Sequence, residues 1–161
     1  MIIRPDIRFM LRHPAHVIAL GLGTGLAPVA PGTAGTLLAF PIHIGLAQFL
    51  PTIAHVIAIV LLFLLGVWAC RVTGRAMGIA DHSGMVWDEV VAMLIILMLV
   101  PEGAWWWLAA FLLFRVFDVL KPPPIRYFDQ TIKGGFGVMF DDILAALYTL
   151  LVLAIYQRFF G

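Results

Sequence analysis

The strongest constraint on this chain is a series of long apolar stretches separated by little more than proline and glycine turns. They run over Thr33–Leu50, Ile53–Cys70, Met85–Val100, Ala104–Leu120 and Ile143–Phe159. A helix needs roughly 20 mainly apolar residues to cross the hydrocarbon core of a bilayer, and each stretch approaches that length, the third being the shortest. Pro51 separates the first two and Pro101-Glu102-Gly103 the third and fourth, so each pair reads as an antiparallel helical hairpin. The pattern predicts an all-α fold, a small polytopic membrane helical bundle of about five membrane-embedded helices, forming one domain over residues 1–161. Composition points the same way. Hydrophobic residues make up 63% of the chain and charged residues 12%, against about 45–50% and about 25% in soluble domains. That leaves too little polar surface for a water-soluble Rossmann-type enzyme and too much apolar character for a disordered chain.

Orientation follows from the cations, because cytoplasmic connections collect Lys and Arg. With the N-terminus cytoplasmic, Arg4, Arg8, Arg12, Arg71, Arg75, Arg115, Lys121, Arg126 and Lys133 fall inside or at the inner boundary, and only Arg158 falls outside. The basic N-terminus ahead of Val17–Ala30 has the outline of a secretory signal, but Gly21, Gly23, Gly25, Pro28 and Pro31 interrupt it too often for a simple apolar signal core. A cytoplasmic tail feeding a glycine-rich turn is expected instead. The outer connections are too short to build a site, so the chemistry belongs on the cytoplasmic face. A net charge of +1 offers no basic field for a nucleic-acid partner. Cys70, the single cysteine, excludes an internal disulfide and a thiolate metal site and is expected to pack as a small apolar residue. The membrane and a phospholipid are the expected partners, and the sequence sets no oligomeric state.

Carboxylates are costly in or beside a bilayer and mark function there by default. Of the nine acidic residues, Asp81, Asp88, Glu89, Asp118, Asp129, Asp141 and Asp142 belong to the cytoplasmic side of the predicted topology. Asp88-Glu89 enter the third stretch, Asp118 leaves the fourth and Asp141-Asp142 open the fifth, so three helix ends deliver five carboxylates to one membrane edge. Such groups repel unless protons or a cation neutralise them, and an all-oxygen donor set suits a hard ion such as Mg²⁺. Plainer readings stand beside this one. Asp118 can pair with Arg115 or Lys121 at helical spacing, and Asp88 and Asp141 can cap helix N-termini.

Magnesium usually shares its coordination shell with substrate phosphate, which gives the neighbouring cations meaning. Arg115, Lys121, Arg126 and Lys133 surround one loop, and Lys121-Pro122-Pro123-Pro124 is too stiff to continue the preceding helix. Gly134-Gly135-Phe136-Gly137 offers backbone N–H groups of the kind that cradle anions. The segment Pro31–Thr36 adds the hydroxyls of Thr33 and Thr36, for which phosphate binding and helix capping weigh equally. His82, beside Asp81, is the one histidine near the acidic edge and a candidate proton carrier.

Taken together, the blocks Leu26–Leu37, Asp81–Glu89, Phe114–Ile125 and Gly134–Asp142 resemble the phosphatidylglycerophosphatase A family of bacterial lipid phosphatases, the likeness extending from Leu20 to Ala146. The resemblance implies a Mg²⁺-dependent, multi-pass enzyme of the inner membrane that removes the terminal phosphate of phosphatidylglycerophosphate. It carries over to Asp81, Asp88, Glu89, Arg115, Asp118, Lys121, Asp129, Asp141 and Asp142. Among these, Asp88, Glu89, Asp118, Asp141 and Asp142 are the expected metal ligands and, with Lys121, the catalytic set. Arg115, Lys121, Lys133, Thr33, Thr36, Gly134 and Gly135 are expected on the substrate phosphate, with Asp81, His82 and Asp129 in support. The chain departs from the family pattern at Ala92 and Ala146, where glycine is frequent. The alternatives are a phosphatase of another lipid phosphate and a small ion-coupled carrier; the latter calls for mid-membrane charges in two related halves, which this sequence lacks.

Overall fold

The computed structural model describes residues 4–160, and every regular element among them is helical. Two short helices, α1 (Ile7–Met10) and α2 (Pro14–Ala19), lead through a 3-10 turn at Gly21–Leu26 to α3 (Pro31–Phe49). There follow α4 (Thr52–Met77), α5 (Trp87–Leu99), α6 (Ala104–Leu120), the short α7 (Ile125–Thr131) and α8 (Gly135–Phe160). The helix boundaries have local causes. Asp6 caps α1 by accepting the Phe9 N–H, and His13 caps α2 through Nδ1, which accepts the Ala15 N–H ahead of Pro14 in the first turn. Pro51 separates α3 from α4 and Pro101 separates α5 from α6, as the sequence predicts.

The five long helices alternate in direction, and α5 is the axis around which the others pack. It touches α3, α4, α6 and α8, and Val90, Val91, Ala92, Met93, Leu94 and Ile96 are all fully buried. At 1.5 Å per residue its 13 residues extend only about 20 Å, well short of a ~30 Å hydrocarbon core. The expected third span is therefore a core helix sheathed by its neighbours. Two helices, α4 and α8, are each 26 residues long and apolar enough to cross a membrane. On α4 the exposed side chains Ile53, Val56, Ile57, Val60, Leu61 and Leu64 recur every three or four residues, an apolar stripe on the outer surface where a soluble helix carries charges.

Helices α4 and α8 meet closely because of a glycine. A Cβ built on Gly135 would lie 2.1 Å from the Val67 carbonyl oxygen and 2.7 Å from the Arg71 backbone nitrogen, so only a residue without a side chain lets α8 start against the α4 backbone. Gly45 on α3 has nothing within 4 Å of the same position. Gly135→Ala is thus expected to lower unfolding stability by about 1–3 kcal/mol through forced separation of the two helices, whereas Gly45→Ala leaves it unchanged or slightly raised. Thermal unfolding of both variants in detergent checks this pair of outcomes.

Candidate active site

The N-termini of α3, α5 and α8 and the C-termini of α4 and α6 lie at one end of the bundle, and the acidic residues gather there. Asp88 and Glu89 stand in the first turn of α5, which brings them into the interior. Asp141 and Asp142 lie nearly two turns inside α8, because that helix begins at Gly135 and not at the acidic doublet as expected. Capping explains neither pair, since the N-cap position of α5 is Val86 and makes no side-chain bond. All four are buried, Asp88 with 8% and Asp142 with 3% of its surface exposed.

One oxygen from each of Asp88, Glu89 and Asp142 falls within 4.8 Å of the others. Asp88 Oδ1, Glu89 Oε2, Asp141 Oδ1 and Asp142 Oδ2 are buried without a hydrogen-bond partner. Unpaired buried oxygens on mutually repelling carboxylates are a high-energy arrangement in isolation. Protons or a cation would relieve it, and the donor chemistry of the three residues fits a hard divalent ion.

Cations border the cluster on two sides. On α6, Arg115 donates from Nη1 to Asp118 Oδ2 at 2.5 Å and faces Glu89 Oε1 at 3.5 Å, so the Arg115–Asp118 pairing predicted from helical spacing is present. Lys121 closes the C-terminus of α6 in a left-handed conformation, φ 43°. Its Nζ donates to Asp129 Oδ1 at 2.8 Å and also to Asp141 Oδ2, tying α6, α7 and α8 together. Burial works against the Lys121 ammonium, but its hydrogen bonds to Asp129 and Asp141 and their charges carry its pKa above the ordinary lysine value. Burial likewise works against the Asp129 carboxylate, and the Lys121 hydrogen bond and charge hold it below the usual range.

The first turn of α3 reaches the same place. A Cβ on Gly32 would lie 2.2 Å from Glu89 Oε1 and about 3 Å from both terminal nitrogens of Arg115, so Gly32 is what allows the helix end to rest on the Glu89–Arg115 contact.

A family profile described as Phosphatidylglycerophosphatase A matches residues 17–157. The chain belongs to this family. Phosphatidylglycerophosphatase A of Haemophilus influenzae is 45% identical over 149 residues, covering 92% of this chain and 91% of its own length. The Escherichia coli protein of the same name is 42% identical over 141 residues, 87% of this chain and 81% of its own length. A Bacteroides thetaiotaomicron protein named putative phosphatidylinositol-3-phosphatase is 42% identical over 152 residues, 90% of this chain and 94% of its own. No solved structure matches.

The four blocks that resemble the phosphatidylglycerophosphatase A family converge, though their residues take different parts. Asp88, Glu89 and Asp142 form the oxygen cluster, with Asp118 and Asp141 beside it, each bound to a cation. Asp129 stands at the rim on Lys121, and Lys133 Nζ donates to the Asp129 carbonyl at 2.8 Å. Thr36 is fully buried and its hydroxyl donates to the Gly32 carbonyl, so that hydroxyl serves the helix; Thr33 is half-buried in the first turn. Gly135 faces the α4 backbone at Val67 and Arg71, and Gly134 lines a small pocket with Asp81, Asp129 and Lys133. Asp81 is exposed, and His82 Nδ1 accepts the Gly84 N–H in a local turn. Ala92 and Ala146 are both fully buried. Gly32 was not among the candidates; the small-residue pattern of Pro31–Thr36 was its sequence signal, but its contact with Glu89 is a long-range one.

The Lys121–Asp141 pair gives a direct test of this geometry. Lys121→Met leaves Asp141 buried without its cation and should cost on the order of 3 kcal/mol. Adding Asp141→Asn to that variant should restore part of the loss. A double-mutant cycle of unfolding in detergent reads the coupling.

Proposed function

We propose that this chain is a Mg²⁺-dependent phosphatase of the bacterial inner membrane, multi-pass with its site facing the cytoplasm. It removes the terminal phosphomonoester of phosphatidylglycerophosphate to give phosphatidylglycerol and phosphate. The observation that carries the reading is the convergence of Asp88, Glu89 and Asp142, with unpartnered buried oxygens, beside Arg115 and Lys121. Membership in the family and the names of the two phosphatidylglycerophosphatase relatives support the substrate.

Asp88, Glu89 and Asp142 would hold the ion. When bound, Mg²⁺ supplies Lewis-acid polarisation of a phosphoryl oxygen. The remaining work falls to the chain's own groups. Asp141 is held at Oδ2 by Lys121 while Oδ1 is unpaired, an arrangement suited to orienting a water for attack on phosphorus. As the water oxygen bonds to phosphorus the ester P–O bond breaks; one proton of the water ends on the departing glycerol oxygen and the other stays with the phosphate. Arg115 and Lys121 balance the negative charge that shifts among the phosphoryl oxygens. Both are fixed in advance by carboxylate partners, so little reorganisation is needed when substrate arrives.

The cationic end of the bundle is assigned to the cytoplasm because Arg71, Arg75, Arg115, Lys121, Arg126 and Lys133 all belong to it. The acyl chains of the substrate would then stay among lipids beside the apolar outer faces of α4 and α8, while the phosphorylated head meets the carboxylates at headgroup depth. The relative named for a phosphoinositide makes the headgroup the part of this reading that most requires measurement.

The first experiment incubates detergent-purified protein with phosphatidylglycerophosphate, with and without Mg²⁺, and measures released phosphate, with phosphatidic acid and phosphatidylinositol 3-phosphate in parallel. Mg²⁺-dependent release from phosphatidylglycerophosphate alone is expected; equal release from all three would reduce the reading to a general lipid phosphatase. Asp88→Asn and Asp141→Asn should each abolish turnover while leaving the protein in the membrane, and near-normal turnover in both would remove the metal site. Gly32→Ala, by displacing Glu89 and Arg115, should lower kcat by at least about tenfold.

A further inference from the structure

Between the last turns of α4 and the start of α8 lies a groove of about 570 Å³ whose lining includes none of Asp88, Glu89, Asp118, Asp141 and Asp142. One wall is the last turns of α4, which carry Arg71 and Arg75. The opposite side is the turn from α7 into α8, with Lys133, Gly134 and Phe136. The loop after α4 closes one end. Gly78 ends α4 at φ 75°, and the chain then doubles back so tightly that a Cβ on Gly74 would lie 2.8 Å from the Ile79 carbonyl oxygen. Phe136 stacks on Phe140 and meets Phe63 edge-on, giving the groove a fixed apolar side.

The charges here differ from those around the carboxylates. Arg115 and Lys121 are committed to acidic partners, but Arg71 and Arg75 are exposed and make no ion pair among the described residues. Lys133 spends one hydrogen on the Asp129 carbonyl, and an ammonium has two more. The first turn of α8 opens on the same groove, and its N–H groups have no partner within the helix. Two unpaired arginines and a lysine with hydrogens to spare around one open volume, with an apolar wall beside them, match a phosphate group attached to something less polar.

We propose that this groove is a second phosphate-binding site, separate from the carboxylate cluster, which takes the phosphate of an anionic lipid headgroup or a free phosphate ion. Its position explains why Lys133 and Gly134 carry an anion-binding pattern yet stand apart from Asp88, Glu89 and Asp142. Fully buried Cys70 belongs to the groove's lining as a small apolar residue. The proposal does not depend on the catalytic reading above.

The test titrates the full-length protein in dodecyl maltoside with dihexanoylphosphatidic acid, inorganic phosphate and, as zwitterionic control, dihexanoylphosphatidylcholine, all by calorimetry with EDTA present. Without a divalent ion the carboxylate cluster repels anions, so binding reports the groove. Phosphatidic acid should bind the wild type more tightly than phosphatidylcholine and lose affinity with added salt. Arg71→Gln with Arg75→Gln should weaken it at least about tenfold, since two charge-assisted hydrogen-bond donors are lost. Arg71→Lys with Arg75→Lys should keep it within a few-fold, which separates lost charge from lost structure. Displacement of the lipid by inorganic phosphate assigns the site to the free ion, and failure to displace it assigns the site to a headgroup. No binding by the wild type, or the same affinity in the wild type and the glutamine variant, overturns the proposal.

Discussion

Like charges held together out of water are the constraint around which this bundle is organised. Asp88, Glu89 and Asp142 converge with oxygens that no donor reaches, and their repulsion is unfavourable in a low-dielectric interior. Lys121 and Arg115 relieve the periphery of the cluster, not its centre. Both are anchored on α6 and reach to α5, α7 and α8, so the ion pairs also determine how the helix ends meet. Such a cluster favours whatever neutralises it, and in the proposed function that is a divalent cation together with the phosphate oxygens that accompany it.

Close backbone approach makes the convergence possible. In an apolar surrounding there is little hydrophobic drive between helices, and small residues at contact points supply packing instead. Gly32 brings the start of α3 onto Glu89 and Arg115, and Gly135 brings the start of α8 onto α4. The first contact shapes the carboxylate site. The second forms part of a separate, cation-lined groove, so two neighbouring anion environments arise from the same packing device used twice.

Much of this was legible in the sequence. The helical hairpins at Pro51 and Pro101, the all-helical fold, the gathering of the acids at one edge and the Arg115–Asp118 pair follow from apolar run length, turn residues and helical spacing. Three features did not follow. Beyond Asp88-Glu89 the stretch Val90–Val100 is apolar on every face, which suits a lipid-facing helix and a protein-buried one equally, and only the packing of four neighbours around α5 distinguishes them. The start of α8 was misplaced because the apolar run begins only after Asp141-Asp142, while contact of Gly135 with α4 lets the helix begin two turns earlier. The hydroxyl of Thr36 was a fair candidate for phosphate until its position on the inward face of α3 returned it to the Gly32 carbonyl.

Local pattern alone therefore determined which segments are helices, which end of each carries charge and what chemistry those charges suit, because these depend on residue type and short-range spacing. The family likeness rests on the same ordered blocks. Tertiary structure decided which carboxylates share one point in space, which cations are already committed, and that Lys133 and Gly134 line a groove together with Arg71 and Arg75. Those outcomes depend on the rotation and depth of helices far apart in sequence, and these are set by side chains and missing side chains at contacts that no local window contains.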